Sequence, residues 1–286
     1  MALSLYMPRP LRAVIAIVVL LALAGATYQG VTTSLERRRF THPGRLIDVG
    51  GHQLQINCTG RGRPIVVLEA PAAGFSASWT RVQEALEPLT RVCSYDRAGL
   101  GWSERGDGPF DPGRVPLELQ TLLVGAGEKP PFVIAGAGMG AAFARAFAVR
   151  FPSTVAGVVL LDQPGAGQDS LDRNTLGQMP GAMPWLARVG ILRVTGTSRR
   201  AGREPAVRAF LYRPDHLTRA ARELARWDDT MRLADDAALA ATRIGVIAAE
   251  LPAPLGDDRG ADAAVSAIRR YLSTRPELSA VPSAAR

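Results

Sequence analysis

The chain is short of lysine, cysteine and histidine, and each shortage removes a class of function. All of its 34 basic residues except Lys129 are arginine. The formal net charge of +8 therefore comes with no lysine cluster, and no stretch interleaves arginine with aromatics or carries a nucleic-acid motif, so no nucleic-acid partner is expected. Arginine in this excess, beside so much alanine, matches the codon bias of a GC-rich genome, with the guanidinium groups spread over solvated helix faces. The two cysteines, Cys58 and Cys93, form no Cys-x-x-Cys pair and are too few for a metal framework. No metal and no cofactor is expected. Each cysteine falls near the end of an expected strand, as one of two buried small hydrophobes or as half of a cross-strand disulfide. The compartment decides between these. The three histidines are His42, His52 and His216, and each is expected at the surface or capping an element.

What the chain has in plenty is apolar sequence at its start. Arg9 and Arg12 precede an unbroken run from Ala13 to Ala26 with no polar face, which a soluble helix would need. This is a membrane-targeting segment. With Thr27, Tyr28 and Val31 it reaches the roughly 20 residues of a spanning helix, while Ala22, Ala24 and Ala26 leave room for signal cleavage. An uncleaved anchor is the favoured reading. Arg9 and Arg12 place the N-terminus in the cytoplasm and the body outside, whereas Arg37, Arg38 and Arg39 argue the reverse.

Further on, strands and helices alternate. Arg45–Val49 and His52–Cys58 flank Gly50-Gly51 as a hairpin. Pro64–Glu69 is a continuous apolar strand, of the kind buried on both faces of a parallel sheet. A helix from about Ser78 to Leu89, a strand Thr90–Asp96, a helix Val115–Gly125, a strand at Pro131–Ala135, a helix beyond Met139 and a strand Val155–Leu161 closed by Asp162 follow. The expected architecture is a mostly parallel sheet with helices on both faces. Its centre is Gly136-Ala137-Gly138-Met139-Gly140, a glycine-dense turn from strand to helix. One reading is a hydrolase elbow Gly-x-Ser-x-Gly with glycine in place of serine. The other is a dinucleotide fingerprint through Gly136, Gly138 and Ala141, with Asp162 as the ribose-binding acid.

Cys58-Thr-Gly60, Val67-Leu-Glu69 with the loop to Trp79, Arg91-Val-Cys-Ser-Tyr-Asp-Arg-Ala-Gly-Leu-Gly-Trp-Ser103, the elbow-like turn and Val155–Asp162 together resemble the α/β-hydrolase superfamily. The nearest group is similar to membrane-anchored or exported bacterial esterase-like members. The resemblance covers about residues 44 to 165. It implies an α/β-hydrolase sheet, a helical cap and a truncated C-terminal part. It also weakens the dinucleotide reading, because at least four strands precede the glycine turn, which in a dinucleotide fold ordinarily follows the first strand.

The resemblance implies a serine, histidine and acid triad with an oxyanion hole. Here the nucleophile position is Gly138, and none of the three histidines stands where the family places its own, after the last strand. Asp162 is a candidate acid with no histidine to orient. Met139 keeps its amide as half of an oxyanion hole, while Pro71 and Ala73 replace glycines in the loop after the third strand, and proline has no amide hydrogen to give. Beyond Ile244–Ala248, another strand, only Glu250 to Ala261 precedes a helix at Ala263–Leu272. That spacing leaves Asp257 and Asp258 as weak remnants of a catalytic block.

The expected division is an anchor or signal segment at 1–31, a linker at 32–43, the first part of the core at 44–163, a helical cap at 164–242, a core strand and helix at 243–276 and a tail at 277–286. Leu217, Ala221, Leu224, Trp227 or Asp228, Met231 and Ala234 follow helical spacing in the cap, and pack as core or roof an acyl pocket. The functional expectation is an esterase- or lipase-like protein impaired in catalysis. The alternatives are a ligand-binding or regulatory module for a small apolar or acyl ligand, and more weakly a dinucleotide-binding protein.

Overall fold

The computed structural model describes residues 8–162, 182–195 and 204–275. A long helix, α1 (Arg9–Arg39), leads into a sheet of β1 (Arg45–Asp48), β2 (Gln53–Thr59), β3 (Ile65–Glu69), β4 (Val92–Tyr95), β5 (Phe132–Ala137), β6 (Val155–Asp162) and β7 (Gly245–Glu250). The core helices are α2 (Thr80–Leu86), α3 (Val115–Gly125), α4 (Met139–Arg150) and α11 (Asp258–Ser273). Between β6 and β7 the cap contributes α5 (Ala182–Arg188), α6 (Ile191–Thr195), α7 (Pro205–Phe210), α8 (Pro214–Ala225), α9 (Trp227–Met231) and α10 (Asp236–Ala241).

The sheet runs in the order β1-β2-β4-β3-β5-β6-β7. Its first two pairings, β1 with β2 and β2 with β4, are antiparallel, and the rest are parallel. The alternation of strand side chains builds both faces at once. Ile65 and Val67 of β3, Phe132 and Ile134 of β5, and Val158 and Leu160 of β6 pack under α3 and α4. Their neighbours Val66, Leu68, Val133, Ala135, Val159 and Leu161 pack against α2 and α11. A strand with both faces covered must be apolar throughout, which is why these segments read as unbroken apolar runs.

The hairpin forms as expected, with φ of +102° at Gly50 and +97° at Gly51. Cys58 and Cys93 stand opposite each other in the β2–β4 register and are joined as a disulfide, which resolves the choice between thiols and a bridge. Two boundaries differ from expectation. The segment divided at residue 31 is one continuous helix to Arg39, because the side chains of Gln29 and Glu36 find buried partners in the cap. The last core helix starts at Asp258 rather than Ala263. Asp257 is its N-cap, accepting from the Arg259 amide, and Asp258 pairs with Arg81, so these two carboxylates stand at a helix start.

Candidate functional site

The turn from β5 to α4 has the geometry of an elbow. Gly138 sits at φ +54°, ψ −121°, a region that residues with a Cβ occupy only under strain. Its amide donates to the Leu161 carbonyl at 3.1 Å, tying the turn to β6. The flanking glycines are needed for a different reason. A Cβ on Gly136 would run into the carbonyl of Gly140, and one on Gly140 would stand 2.5 Å from the Ala70 carbonyl oxygen. The helix can approach the strands this closely only with bare backbone at both positions.

At Gly138 itself the space is open enough for a side chain. Among the described residues, an added Cβ would meet only the Pro71 Cβ, at 3.7 Å, an ordinary van der Waals contact. The position therefore has room for a nucleophile and carries none. Met139 opens α4, so its amide is one of the first-turn donors left without a partner inside the helix. Its side chain is fully buried with Ala72 and Phe143, under half-buried Leu224, Trp227, Met231 and Leu233. Of the cap positions expected at helical spacing, Leu224 and Met231 thus close over the elbow, while Leu217 packs within the cap against Ala187 and Leu192. A groove of about 620 Å³ beside α4 is lined by residues such as Leu117, Val149 and Phe151 and does not include the elbow.

Behind the loop after β3 lies a buried ionic cluster that sequence reasoning missed. Arg97 is 2% exposed and donates to Glu69 at 2.7 Å and to Glu223 of α8 at 2.9 Å and 3.0 Å. It also donates to the carbonyls of Ala70 at 2.7 Å and Pro71 at 2.9 Å, and its guanidinium lies over the Phe143 ring. Tyr95 donates to Glu69. Burial raises the Glu69 carboxyl above its ordinary value, with Arg97 and Tyr95 opposing. Burial pushes Glu223 the same way, but Arg97 and Arg219 outweigh it and hold that carboxyl below the ordinary range. A buried carboxylate closing an apolar strand, as Glu69 does, is the one signal that could have found the cluster.

Asp96 fixes the turn beside it. Its carboxylate accepts from the amides of Ser76 at 2.7 Å and Trp102 at 2.8 Å, and burial lifts its pKa to about 6 against those hydrogen bonds.

His216 departs from expectation: it is 3% exposed, not a surface residue. It lies on the inner face of α8, its ring edge-on to Phe75. Nδ1 accepts from the Gly101 amide at 3.3 Å, and Nε2 donates to the Ala73 carbonyl at 3.0 Å. Burial lowers its pKa to about 4, so the ring is neutral, with both nitrogens committed to backbone. Ala73 itself has φ +57°, and its amide reaches Glu223 at 3.4 Å. His52 is also buried, at 5% exposure, with Nε2 3.7 Å from Glu118 of α3 and Gly106 against its ring. His42 is exposed as expected, bonded to the Gly44 carbonyl.

The structure thus brings Gly138, Met139 and Pro71 together. Asp162 closes β6, with its backbone paired to Glu250; its side chain lies outside the described residues, as do residues 164–181 and 196–203 of the cap.

No protein-family model matches the chain. Among curated proteins it is 37% identical over 98 residues to an AB hydrolase superfamily protein of Gibberella zeae, covering 34% of this chain and 30% of that one. It is 28% identical over 131 residues to a 2-hydroxy-6-oxo-2,4-heptadienoate hydrolase of Pseudomonas putida, covering 45% and 48%. The chain spans less than half the length of these curated relatives. Among solved structures it resembles the epoxide hydrolase CorEH, with a TM-score of 0.61 and 18% identity over 82% of this chain and 99% of that one. It also resembles an enol-lactonase from Burkholderia xenovorans, with a TM-score of 0.52 and 19% identity over 80% and 100%. Sheet order, elbow and these likenesses agree, and the chain carries the fold of the α/β-hydrolase superfamily.

Proposed function

We propose that this is an α/β-hydrolase-fold protein, esterase- or lipase-like by resemblance, that is impaired in ester hydrolysis and held at a membrane by α1. The observation that carries the reading is Gly138, at the centre of a turn with elbow geometry and, among the described residues, with only the Pro71 ring beside it. A serine hydrolase needs an oxygen there, a histidine to take its proton and two amides for the oxyanion. Among the described residues, Gly138 offers no oxygen at the centre of the turn and no free imidazole faces it. His216 is neutral and bonded through both nitrogens, and Pro71 has no amide hydrogen to offer. Where a whole triad is removed, binding and the oxyanion hole leave about 10³ to 10⁴ over water. Purified protein given short p-nitrophenyl esters is expected to stay near that background. Turnover at ordinary enzyme rates, abolished by His216→Ala, would overturn the reading.

Membrane attachment is supported by the residues Arg9–Glu36, an apolar helix with an 18-residue window of mean hydropathy 2.2. The Cys58–Cys93 disulfide supports a body on the oxidising, extracytoplasmic side.

A second reading is a binding or regulatory module for a small apolar or acyl ligand, favoured by the apolar side chains of Leu224, Trp227 and Met231 over Met139. Pulldown from a lipid extract followed by mass spectrometry should then retain a ligand; an empty protein counts against it. A dinucleotide site through Gly136, Gly138, Ala141 and Asp162 is the weaker alternative, and the lack of any NAD- or NADP-dependent rise in Tm would remove it.

A further inference from the structure

The long N-terminal helix and the cap meet at one place, and that place constrains where the membrane surface must lie. Near the Val189–Gly190 turn between α5 and α6, α1 comes so close that a Cβ on Gly25 would collide with the Val189 carbonyl, and one on Gly190 would stand 2.9 Å from the Gly25 carbonyl oxygen. One and three turns further along, the contact becomes polar. Gln29 is 4% exposed; it donates to the Tyr212 carbonyl at 2.7 Å and accepts from Arg193 at 3.0 Å. Arg193 also grips Glu36 through both terminal nitrogens, at 2.5 Å and 3.0 Å. The α5–α6 hairpin is therefore fixed to α1 at Gly25, with its polar partners placed toward the C-terminal end of the helix. On the N-terminal side of the contact, Leu11, Val14, Ile15, Ile17, Val18, Val19, Leu20, Leu21 and Leu23 are all exposed.

A bilayer core needs about 20 helical residues. Counted from Ala13, where the apolar run begins, such a window ends at Thr32; counted from Arg9, the first helical residue, it ends at Tyr28. Either way Gly25 falls three to seven residues inside it, about 5–10 Å at the helical rise. The hairpin attached at Gly25 must then enter the interface itself. Its surface is suited to that place. Trp185 is 67%, Ile191 45% and Val194 77% exposed, and the Arg188 guanidinium lies 4.9 Å from the centre of the Trp185 ring. Tryptophan backed by arginine, with aliphatic side chains beside it, is the composition of an element seated at headgroup level.

We infer that the α5–α6 hairpin, Ala182–Thr195, is a second membrane contact, with Trp185, Ile191 and Val194 entering the interface next to α1 and the cap held against the lipid surface. The inference rests on α1 being a membrane anchor. A cap so placed faces its apolar side to the bilayer, the source of any acyl ligand.

The test uses the full chain in vesicles of phosphatidylcholine and phosphatidylglycerol. Flotation after a carbonate wash reports the anchor alone. Tryptophan quenching by phosphatidylcholine brominated near the headgroup or near the chain end reports the hairpin, the Trp185 component being the emission lost in Trp185→Phe. The account expects flotation, and a roughly twofold quenching of that component by the shallow bromine with less by the deep one, as for a ring at headgroup depth. Val194→Glu provides a second variant, and should float normally while total quenching by the shallow bromine falls. Flotation with Trp185 unquenched overturns the hairpin and leaves the anchor standing. Failure to float removes the anchor reading and the hairpin with it. A dimer in detergent that shields Trp185 would assign the face to a second copy of the chain and overturn the inference.

Discussion

The elbow after β5 and the loop after β3 face each other across one site, and different forces hold them. The elbow is held by contact between backbones. Gly136 and Gly140 have carbonyls where a Cβ would be, and the Gly138 amide is tied to β6. The loop is held by side chains. Arg97 takes the carbonyls of Ala70 and Pro71, while His216 and Glu223 of the cap take the two backbone groups of Ala73. Neither set of constraints involves an atom that a nucleophile would supply. The packing that shapes an elbow is therefore separable from the chemistry an elbow serves, and a glycine at its centre costs the fold nothing.

The sharpest way to break this comparison is to remove the side chain that holds the loop. Arg97→Met strands the buried Glu223 and Glu69 carboxylates, and loss of one partner of a buried ion pair costs about 3–5 kcal/mol. Denaturant unfolding should show a loss of that size, greater than any substitution on the exposed face of the cap. On the elbow side, Gly140→Ala forces a Cβ toward the Glu69 and Ala70 carbonyls; overpacking of this kind costs about 2–3 kcal/mol, read as a fall in Tm.

The loop's dependence on a neutral histidine can be read through pH. The folded His216 has a pKa of about 4 against the ordinary 6.5 of a free histidine, so between these values the unfolded chain takes up a proton that the folded chain refuses. Stability from this group is complete above pH 6.5 and falls as pH drops toward 4. Relative to His216→Gln, the wild type should lose about 3 kcal/mol over that window, measured by urea unfolding at each pH. Equal slopes in the two proteins would remove His216 from the account.

Gly138→Ser should give the smallest change. The room beside Pro71 admits the side chain, and the left-handed φ costs about 1–2 kcal/mol, seen as a small drop in Tm. Ester hydrolysis should not rise with it, because no free imidazole stands by to activate the hydroxyl. A large gain in hydrolysis from this one change would show that the rest of the machinery is present.

Much of the scaffold was legible in sequence because it follows from local periodicity. Unbroken runs in β3, β5 and β6 mark strands covered on both faces, and Gly50-Gly51 marks the hairpin. The elbow was legible because three glycines in five residues have few other uses. The polar cluster was not, since Arg97 and Glu223 are 126 residues apart and meet only once the cap docks. For the same reason His216, near the start of a helix with a strongly polar face, read as a surface residue. The direction of its burial is set by Phe75, Ala73 and Gly101, which belong to the core. The extension of α1 to Arg39 likewise depends on Arg193, far along the chain.

The central claim is that no side chain at the elbow acts as a nucleophile. Its most direct test is exposure of the full chain to an excess of a fluorophosphonate, which phosphonylates hydrolase serines with loss of fluoride, with intact-mass measurement of the product. The account predicts an unchanged mass. A stoichiometric adduct that is lost on prior denaturation would reveal an activated nucleophile in the folded protein and contradict it.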